Sequence, residues 1–204
     1  MPDVSVLLWD VGGVLLSNAW DHTARTAAAD HFQINPAEFE RRHERVVGEF
    51  ETGRLDLDGY MASTVFHARR NFSPAMFRQF MFDRSTPRPG ALAFAKQLHR
   101  RGGRRMVALN NESRELNEFR ITTFRLKDVF DVFLSSCYTG LRKPDPAAFR
   151  YALTLTQCDP DRTVFLDDRP ENVEAAARLG LRTILVRRPE DLAAELARNG
   201  VAAR

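Results

Sequence analysis

Four polar clusters interrupt this chain where the flanking sequence is apolar. They are Asp10 after Val6-Leu7-Leu8-Trp9, Asn110-Asn111 after Met106-Val107-Ala108-Leu109, Lys143 within Leu141-Arg142-Lys143-Pro144, and Asp167-Asp168 after Val164-Phe165-Leu166. Three carboxylates that meet repel one another, and each is pushed toward protonation unless a cation joins them. An oxygen-rich site of that kind suits Mg²⁺, which keeps several waters and takes one or two protein carboxylates alongside substrate phosphate oxygens. A nearby lysine adds a point charge able to neutralise a phosphate and keep Asp10 ionised. Asn110 can donate its amide hydrogens to a phosphate oxygen.

The elements that must position these groups follow from the pattern around them. Val4 to Trp9 reads as a strand apolar on both faces, suited to the middle of a parallel sheet covered by helices. An ionised Asp cannot be buried unpaired inside such a strand, so Asp10 is expected at its C-terminal edge. Gly12 and Gly13 then permit a tight reversal and a close approach of backbone to ligand. From residue 91 onward strands and helices alternate. Strands are expected at Arg104–Leu109, Val129–Ser135, Thr163–Leu166 and Arg182–Val186, with helices at 91–101, 113–124, 146–157, 171–179 and 189–198. That alternation predicts an α/β class, a parallel Rossmann-like sheet. In a parallel sheet all strand C-termini share one edge, where ligands bind, so the four clusters should converge there.

Residues 19–83 read as helices only. Phe39, His43, Val46, Val47 and Phe50 share one helical face, Tyr60, Met61, Thr64, Val65 and Ala68 another, and Met76, Phe77, Phe80 and Met81 a third. Asn35-Pro36 and Ser73-Pro74 are helix starts, with a capping residue before a proline at the first helical position. Residues 83–90, rich in Pro and Gly, return the chain to its first domain. The expected organisation is a core of residues 1–16 and 88–204 with a helical cap, 17–87, inserted into it.

With these residues in order, the chain resembles the haloacid dehalogenase-like hydrolase superfamily over nearly its whole length. By that resemblance Asp10 is the motif-one nucleophile, Leu109-Asn110-Asn111 is motif two, Lys143 is motif three and Asp167-Asp168 is motif four. The likeness implies an aspartyl-phosphate on Asp10 and Mg²⁺ held by Asp10, the Gly12 carbonyl and Asp168, with Asp167 acting directly or through water. Asn110, Asn111 and Lys143 would hold the substrate phosphate, and the helical block looks like the family's mobile cap. Most phosphatases of the family carry a second Asp two residues after the nucleophile, where this chain has Gly12. Glycine supplies a carbonyl oxygen but no acid, and general acid–base help is worth about 10² to 10⁴ in rate, roughly 3 to 5 kcal/mol of barrier. Asn110 stands where Ser or Thr is usual. Asp-x-Gly-x-Val with a helical cap and Arg-Lys-Pro is most similar to the subgroup containing bacterial glucose-1-phosphate phosphatases, so the resemblance extends to sugar phosphates, whose acidic anomeric hydroxyl needs less help to leave.

The expected function is a Mg²⁺-dependent phosphatase of a small phosphorylated metabolite. Two other readings use the same residues: a 2-haloacid dehalogenase in which Asp10 attacks carbon, since halide needs no acid, and a phospholigand-binding module weakened by the loss of that acid. Each cluster taken singly is also ordinary structure: Asp10-Val11-Gly12-Gly13 a turn, Asp145 and Asp168 helix caps, Asn110-Asn111 a loop. His22, His31, His43, His67 and His99 lack ligand spacing and read as surface or cap packing. Trp20, Arg54 and Arg114 read as cap core or solvated surface that could alternatively face substrate.

Composition agrees with a globular enzyme. The 204 residues are 44% hydrophobic and 28% charged, with a net charge of +3. Arginine pairs are dispersed rather than gathered in a stripe, so no nucleic-acid partner is expected. Cys137 and Cys158 are too few for a disulfide framework and read as reduced, which suits a cytoplasmic setting. The apolar N-terminal run lacks a basic region and is interrupted by Asp10, so neither a signal peptide nor a membrane span is expected.

Overall fold

The computed structural model describes residues 2–201. Five strands form one parallel sheet in the order β3-β2-β1-β4-β5, with β1 Val6–Trp9, β2 Arg105–Ala108, β3 Val132–Phe133, β4 Thr163–Asp167 and β5 Arg182–Leu185. Because successive side chains on a strand point to opposite faces, β1 divides its residues between two cores. Leu7 and Trp9 join Met106, Ala108, Val164 and Leu166 against α5 (Pro89–Arg101) and α10 (Leu192–Arg198). Val6 and Leu8 join Val107 and Phe165 against α8 (Pro146–Thr156) and α9 (Pro170–Ala177). The result is the helix–sheet–helix sandwich that a strand apolar on both faces demands.

A third core belongs to the inserted helices α1 (His22–Phe32), α2 (Pro36–Glu51), α3 (Leu57–Thr64) and α4 (Pro74–Asp83). The Asn35 and Ser73 side chains accept from the amides of Glu38 and Met76, and Pro36 and Pro74 open their helices, as the two dipeptides predict. Two of the three expected stripes are narrower than their periodicity. Helix α3 stops at Thr64, short of Ala68, and Met76 is 56% exposed while Phe77 and Met81 are buried.

One expected strand is largely absent. Of Val129–Ser135 only Val132–Phe133 pairs with β2, while Leu126–Asp128 forms a single 3₁₀ turn and Val129 and Phe130 pack beneath the sheet. Asp131 explains the shortness, since its side chain takes the Met106 amide at 2.8 Å and accepts from or pairs with His99 Nε2 at 3.0 Å. A short apolar run fits buried turn and strand equally well, and here a side-chain bond competes with the ladder. One further helical turn, α7 (Ser136–Thr139), follows β3 and precedes the Lys143 loop.

The two chain crossings between the sheet and the inserted helices run side by side. Ser17 donates from its amide to the Thr86 carbonyl and from Oγ to the Arg84 carbonyl, and Arg88 donates to the Leu15 carbonyl. Arg120 on α6 (Arg114–Thr123) ties this crossing down, giving Nη2 to the Ser17 carbonyl at 2.6 Å and Nη1 to Glu112 at 2.7 Å. No helix among the described residues is long and apolar enough to cross a membrane. Both partners of the Arg120–Glu112 pair are nearly enclosed, so removing one strands a charge. Arg120→Met is expected to lower the unfolding free energy by about 3 to 5 kcal/mol in a denaturant titration, with much of the loss recovered by adding Glu112→Gln.

Candidate active site

Register brings the motif residues together. Trp9 lies beside Ala108 on one side and Leu166 on the other, so the next residues, Asp10, Leu109 and Asp167, emerge level at one sheet edge. The Lys143 loop reaches the same edge because Asn111 clamps it: its amide donates to the Lys143 carbonyl at 2.8 Å while its oxygen accepts the Lys143 amide at 2.9 Å. Lys143 Nζ then sits 2.6 Å from Asp167 Oδ2 and 3.2 Å from Asp10 Oδ1, almost wholly enclosed.

Oxygens of Asp10, Asp167 and Asp168 lie within 4.8 Å of one another, but the three carboxylates are not equivalent. Asp167 is fully engaged, with Oδ1 accepting from the Arg169 amide, Oδ2 from Lys143, and both from Asn172 Nδ2. Asp168 takes a bond from Asn18 Nδ2 on Oδ2 at 3.1 Å, while its Oδ1 is buried with no partner. Both contacts of Asp10 use Oδ1, from the Val11 amide at 2.7 Å and from Lys143, so Oδ2 has no partner among the described residues. A buried carboxylate oxygen without a donor is costly. Asp168 Oδ1 and the open Asp10 Oδ2 are hard oxygen donors of the kind that suits a divalent cation such as Mg²⁺.

Glycine permits this approach. Gly13 has φ +69°, and a Cβ there would fall 1.9 Å from Asp168 Oδ2, so a side chain at 13 would displace the carboxylate. A Cβ on Gly12 would lie 2.9 Å from Asn18 Oδ1, so the Asn18 carboxamide already fills the space beside Gly12.

Asn110 is buried and turned inward: its Oδ1 accepts from Ser135 Oγ and its Nδ2 donates to Asn117 Oδ1. Its neighbours Asn111 and Glu112, with Asp10, Gly12 and Lys143, border a cavity of about 370 Å³ between the core and the cap. Trp20 also borders it, together with residues the sequence reading did not single out for the site: Asn18, Arg25, Glu51, Arg120, Arg142 and Asn172. His43, read above as cap packing, borders it too. Asn172 alone had a signal, standing five residues after Asp167 on the turn that opens α9.

The electrostatics match this layout. Burial raises the Asp10 carboxyl to about 7; Lys143 opposes the shift, and the like charges of Asp167 and Asp168 add to it. Burial by itself would lower Lys143, but Asp10 and Asp167 outweigh it and hold the ammonium above the ordinary lysine range. Burial also raises Glu112, against the pull of Arg120. A cation at the open oxygens would oppose the burial and the like charges that together favour a protonated Asp10.

Residues 4–180 match the haloacid dehalogenase-like hydrolases. The chain belongs to that family. Among curated relatives, it is 34% identical over 107 residues to a phosphoserine phosphatase of Thermus thermophilus, covering 50% of this chain and 43% of that protein. It is 34% identical over 121 residues to bifunctional epoxide hydrolase 2 of Rattus norvegicus, covering 57% of this chain and 22% of the relative. The chain thus spans less than half the length of either. A HAD family enzyme of Bacteroides thetaiotaomicron, solved with magnesium and inorganic phosphate, superposes with a TM-score of 0.71 at 19% identity, over 89% of this chain and 93% of that one. The shared fold is the Rossmann-like one described above.

The Asp10 shift sets a pH dependence. A carboxyl raised from 3.8 to about 7 keeps its proton in the folded state where the unfolded chain has lost it, so its contribution to stability falls as pH rises through that window. His43, lowered to about 4 chiefly by burial, acts oppositely, losing stability as pH falls from 6.5 toward that value. Asp10→Asn separates the two. In chelator its melting temperature should gain on the wild type as pH rises from about 4 to about 7, and Mg²⁺ should close the gap by stabilising only the wild type.

Proposed function

We propose that this chain is a Mg²⁺-dependent phosphatase of a small phosphorylated metabolite, working through an aspartyl-phosphate on Asp10. The observation that carries the proposal is the gathering of three carboxylates around a buried lysine with Asp168 Oδ1 orphaned and Asp10 Oδ2 without a partner among the described residues. Phosphatase relatives, including the phosphoserine phosphatase of Thermus thermophilus, support the same reading.

The Asp10 carboxylate attacks phosphorus, the bond from phosphorus to the leaving oxygen breaks, and the leaving oxygen takes a proton from water. A second water then attacks phosphorus, releasing phosphate and restoring the Asp10 carboxylate. Asp10, the Gly12 carbonyl and Asp168 would hold Mg²⁺, which when bound would supply positive charge against the phosphoryl oxygens and favour the ionised Asp10. Lys143 bonds Asp10 Oδ1, which orients the carboxylate, and adds its charge to the phosphate side. Asp167, saturated by Lys143 and Asn172, keeps the lysine aimed, and Asn111 keeps the lysine's loop in place. Gly12 offers no acid, so substrates with good leaving oxygens suit the site, phosphates esterified at the anomeric oxygen of a sugar among them. The dispersed arginines fit an enzyme without a nucleic-acid partner, and the two free cysteines suit a cytoplasmic setting.

Phosphate release from a panel of monophosphate esters, with Mg²⁺ and with chelator, tests the proposal. Turnover should require Mg²⁺, and Asp10→Asn should reduce it by a factor of about 10³ or more while circular dichroism stays unchanged. Absence of turnover, or chloride release from 2-haloacids that persists in chelator, would overturn the phosphatase reading. Gly12→Asp should push Asn18 aside and raise kcat on alkyl phosphates by about tenfold or more, with little effect on aryl phosphates, whose leaving oxygen needs no acid.

A further inference from the structure

The cavity is unusual in how its charge is spent. Arg25 meets Glu40 through Nε at 2.8 Å and Nη2 at 2.5 Å, Arg142 meets Glu51 at 2.7 and 2.6 Å, and Arg120 meets Glu112 at 2.7 Å. Three of the four guanidiniums bordering this space are therefore already neutralised by a carboxylate at hydrogen-bond distance; the fourth, Arg169, is largely exposed beside Asp168 and 3.8 Å from Glu171. On the side lined by the inserted helices, a second anionic group on a ligand would have to compete with one of those carboxylates for its arginine, and a cationic group would compete with the arginines.

Between these pairs stands His43, on α2 of the cap. Trp20 Nε1 donates to Tyr60 Oη at 2.9 Å, and Tyr60 Oη lies 2.8 Å from His43 Nδ1. Tyr60 is fully buried and stacked on Phe50 at 4.1 Å between ring centres, and burial holds its phenol well above the ordinary range, so it keeps its proton. A buried hydroxyl proton needs an acceptor. Tyr60 receives from Trp20, and the acceptor within reach is His43 Nδ1. Hydrogen-bond accounting thus assigns His43 its neutral tautomer, with the proton on Nε2. Burial disfavours an imidazolium, as do Arg25 and Arg142, against a smaller opposing pull from Glu40. Nε2 has no partner among the described residues, and His43 borders the cavity.

We infer that the site selects a monophosphate whose leaving group is uncharged and carries an oxygen acceptor, a hydroxyl or carbonyl, held by the Nε2–H of His43. The inference rests on the phosphatase reading and adds a specificity-determining residue in the cap. The organic part of such a substrate resembles a polyol more than an amino acid, although one relative is a phosphoserine phosphatase.

Steady-state kinetics with Mg²⁺ on three probes tests it: glycerol 1-phosphate, phenyl phosphate and phosphoserine. Wild type should favour glycerol 1-phosphate over phosphoserine in kcat/KM. His43→Phe should lower kcat/KM on glycerol 1-phosphate about three- to tenfold, mainly through KM, the worth of one neutral hydrogen bond. Phenyl phosphate, with no acceptor on its ring, should change less than about twofold on that same argument. His43→Gln, whose amide can donate near the Nε2 position, should restore the polyol substrate. Nitrogen NMR of the wild-type ring should show the proton on Nε2, and Tyr60→Phe should release that tautomer. A preference for phosphoserine, an equal loss on both other esters in His43→Phe, or a proton on Nδ1 would each overturn the inference while leaving the phosphatase reading in place. A wild type that hydrolyses none of the three, phenyl phosphate included, would overturn the phosphatase reading and this one with it.

Discussion

The interaction on which the rest depends is the contact of one buried ammonium with two buried carboxylates. Lys143 Nζ lies within 3.2 Å of both Asp10 and Asp167, at a place where neither acid is well solvated. Alone, the two acids would repel each other and one would protonate; the lysine makes their proximity tolerable. It does not satisfy the third, since Asp168 Oδ1 is left without a donor. Three carboxylates against one ammonium leave the ionised cluster with two uncompensated negative charges, an imbalance that a divalent cation would offset.

Much of the surrounding structure maintains that imbalance. Asn172 and the Arg169 amide saturate Asp167, so it serves the lysine and not a ligand. Asn111 grips the lysine's backbone at both its donor and its acceptor. Gly13 leaves the volume into which Asp168 leans, and Asn18 fills the volume beside Gly12 where a longer residue would stand. Each of these residues acts by fixing geometry, and together they separate a bonded oxygen of Asp10 from a free one.

The inserted helices contribute a different kind of electrostatics. They hold their own aromatic core, in which Trp20, Phe39 and Phe77 meet one another in tilted and edge-on contacts. Arg120 anchors the crossing between the two parts by holding the Ser17 carbonyl. Around the cavity Arg25, Arg120 and Arg142 are each matched with an acid, which sets them apart from the carboxylate cluster at the sheet edge.

Sequence by itself determined the class of fold and the place of the chemistry. A strand apolar on both faces must lie inside a parallel sheet, and parallel strands deliver their C-terminal residues to one edge, so Asp10, Lys143 and Asp167-Asp168 were legible as a group. The helix starts at Asn35-Pro36 and Ser73-Pro74 were legible because capping is local. Tertiary structure alone decided the extent of β3, where Asp131 bonds to a strand distant in sequence, and the exposure of Met76, which periodicity cannot distinguish from Phe77. It also decided that Asn110 turns inward, that Asp167 is spent on Lys143, and that Trp20, Tyr60 and His43 form one chain of hydrogen bonds. Such features depend on which side chains meet across long separations in sequence, and a polar atom's role is set by the partners it finds there, which no local pattern encodes.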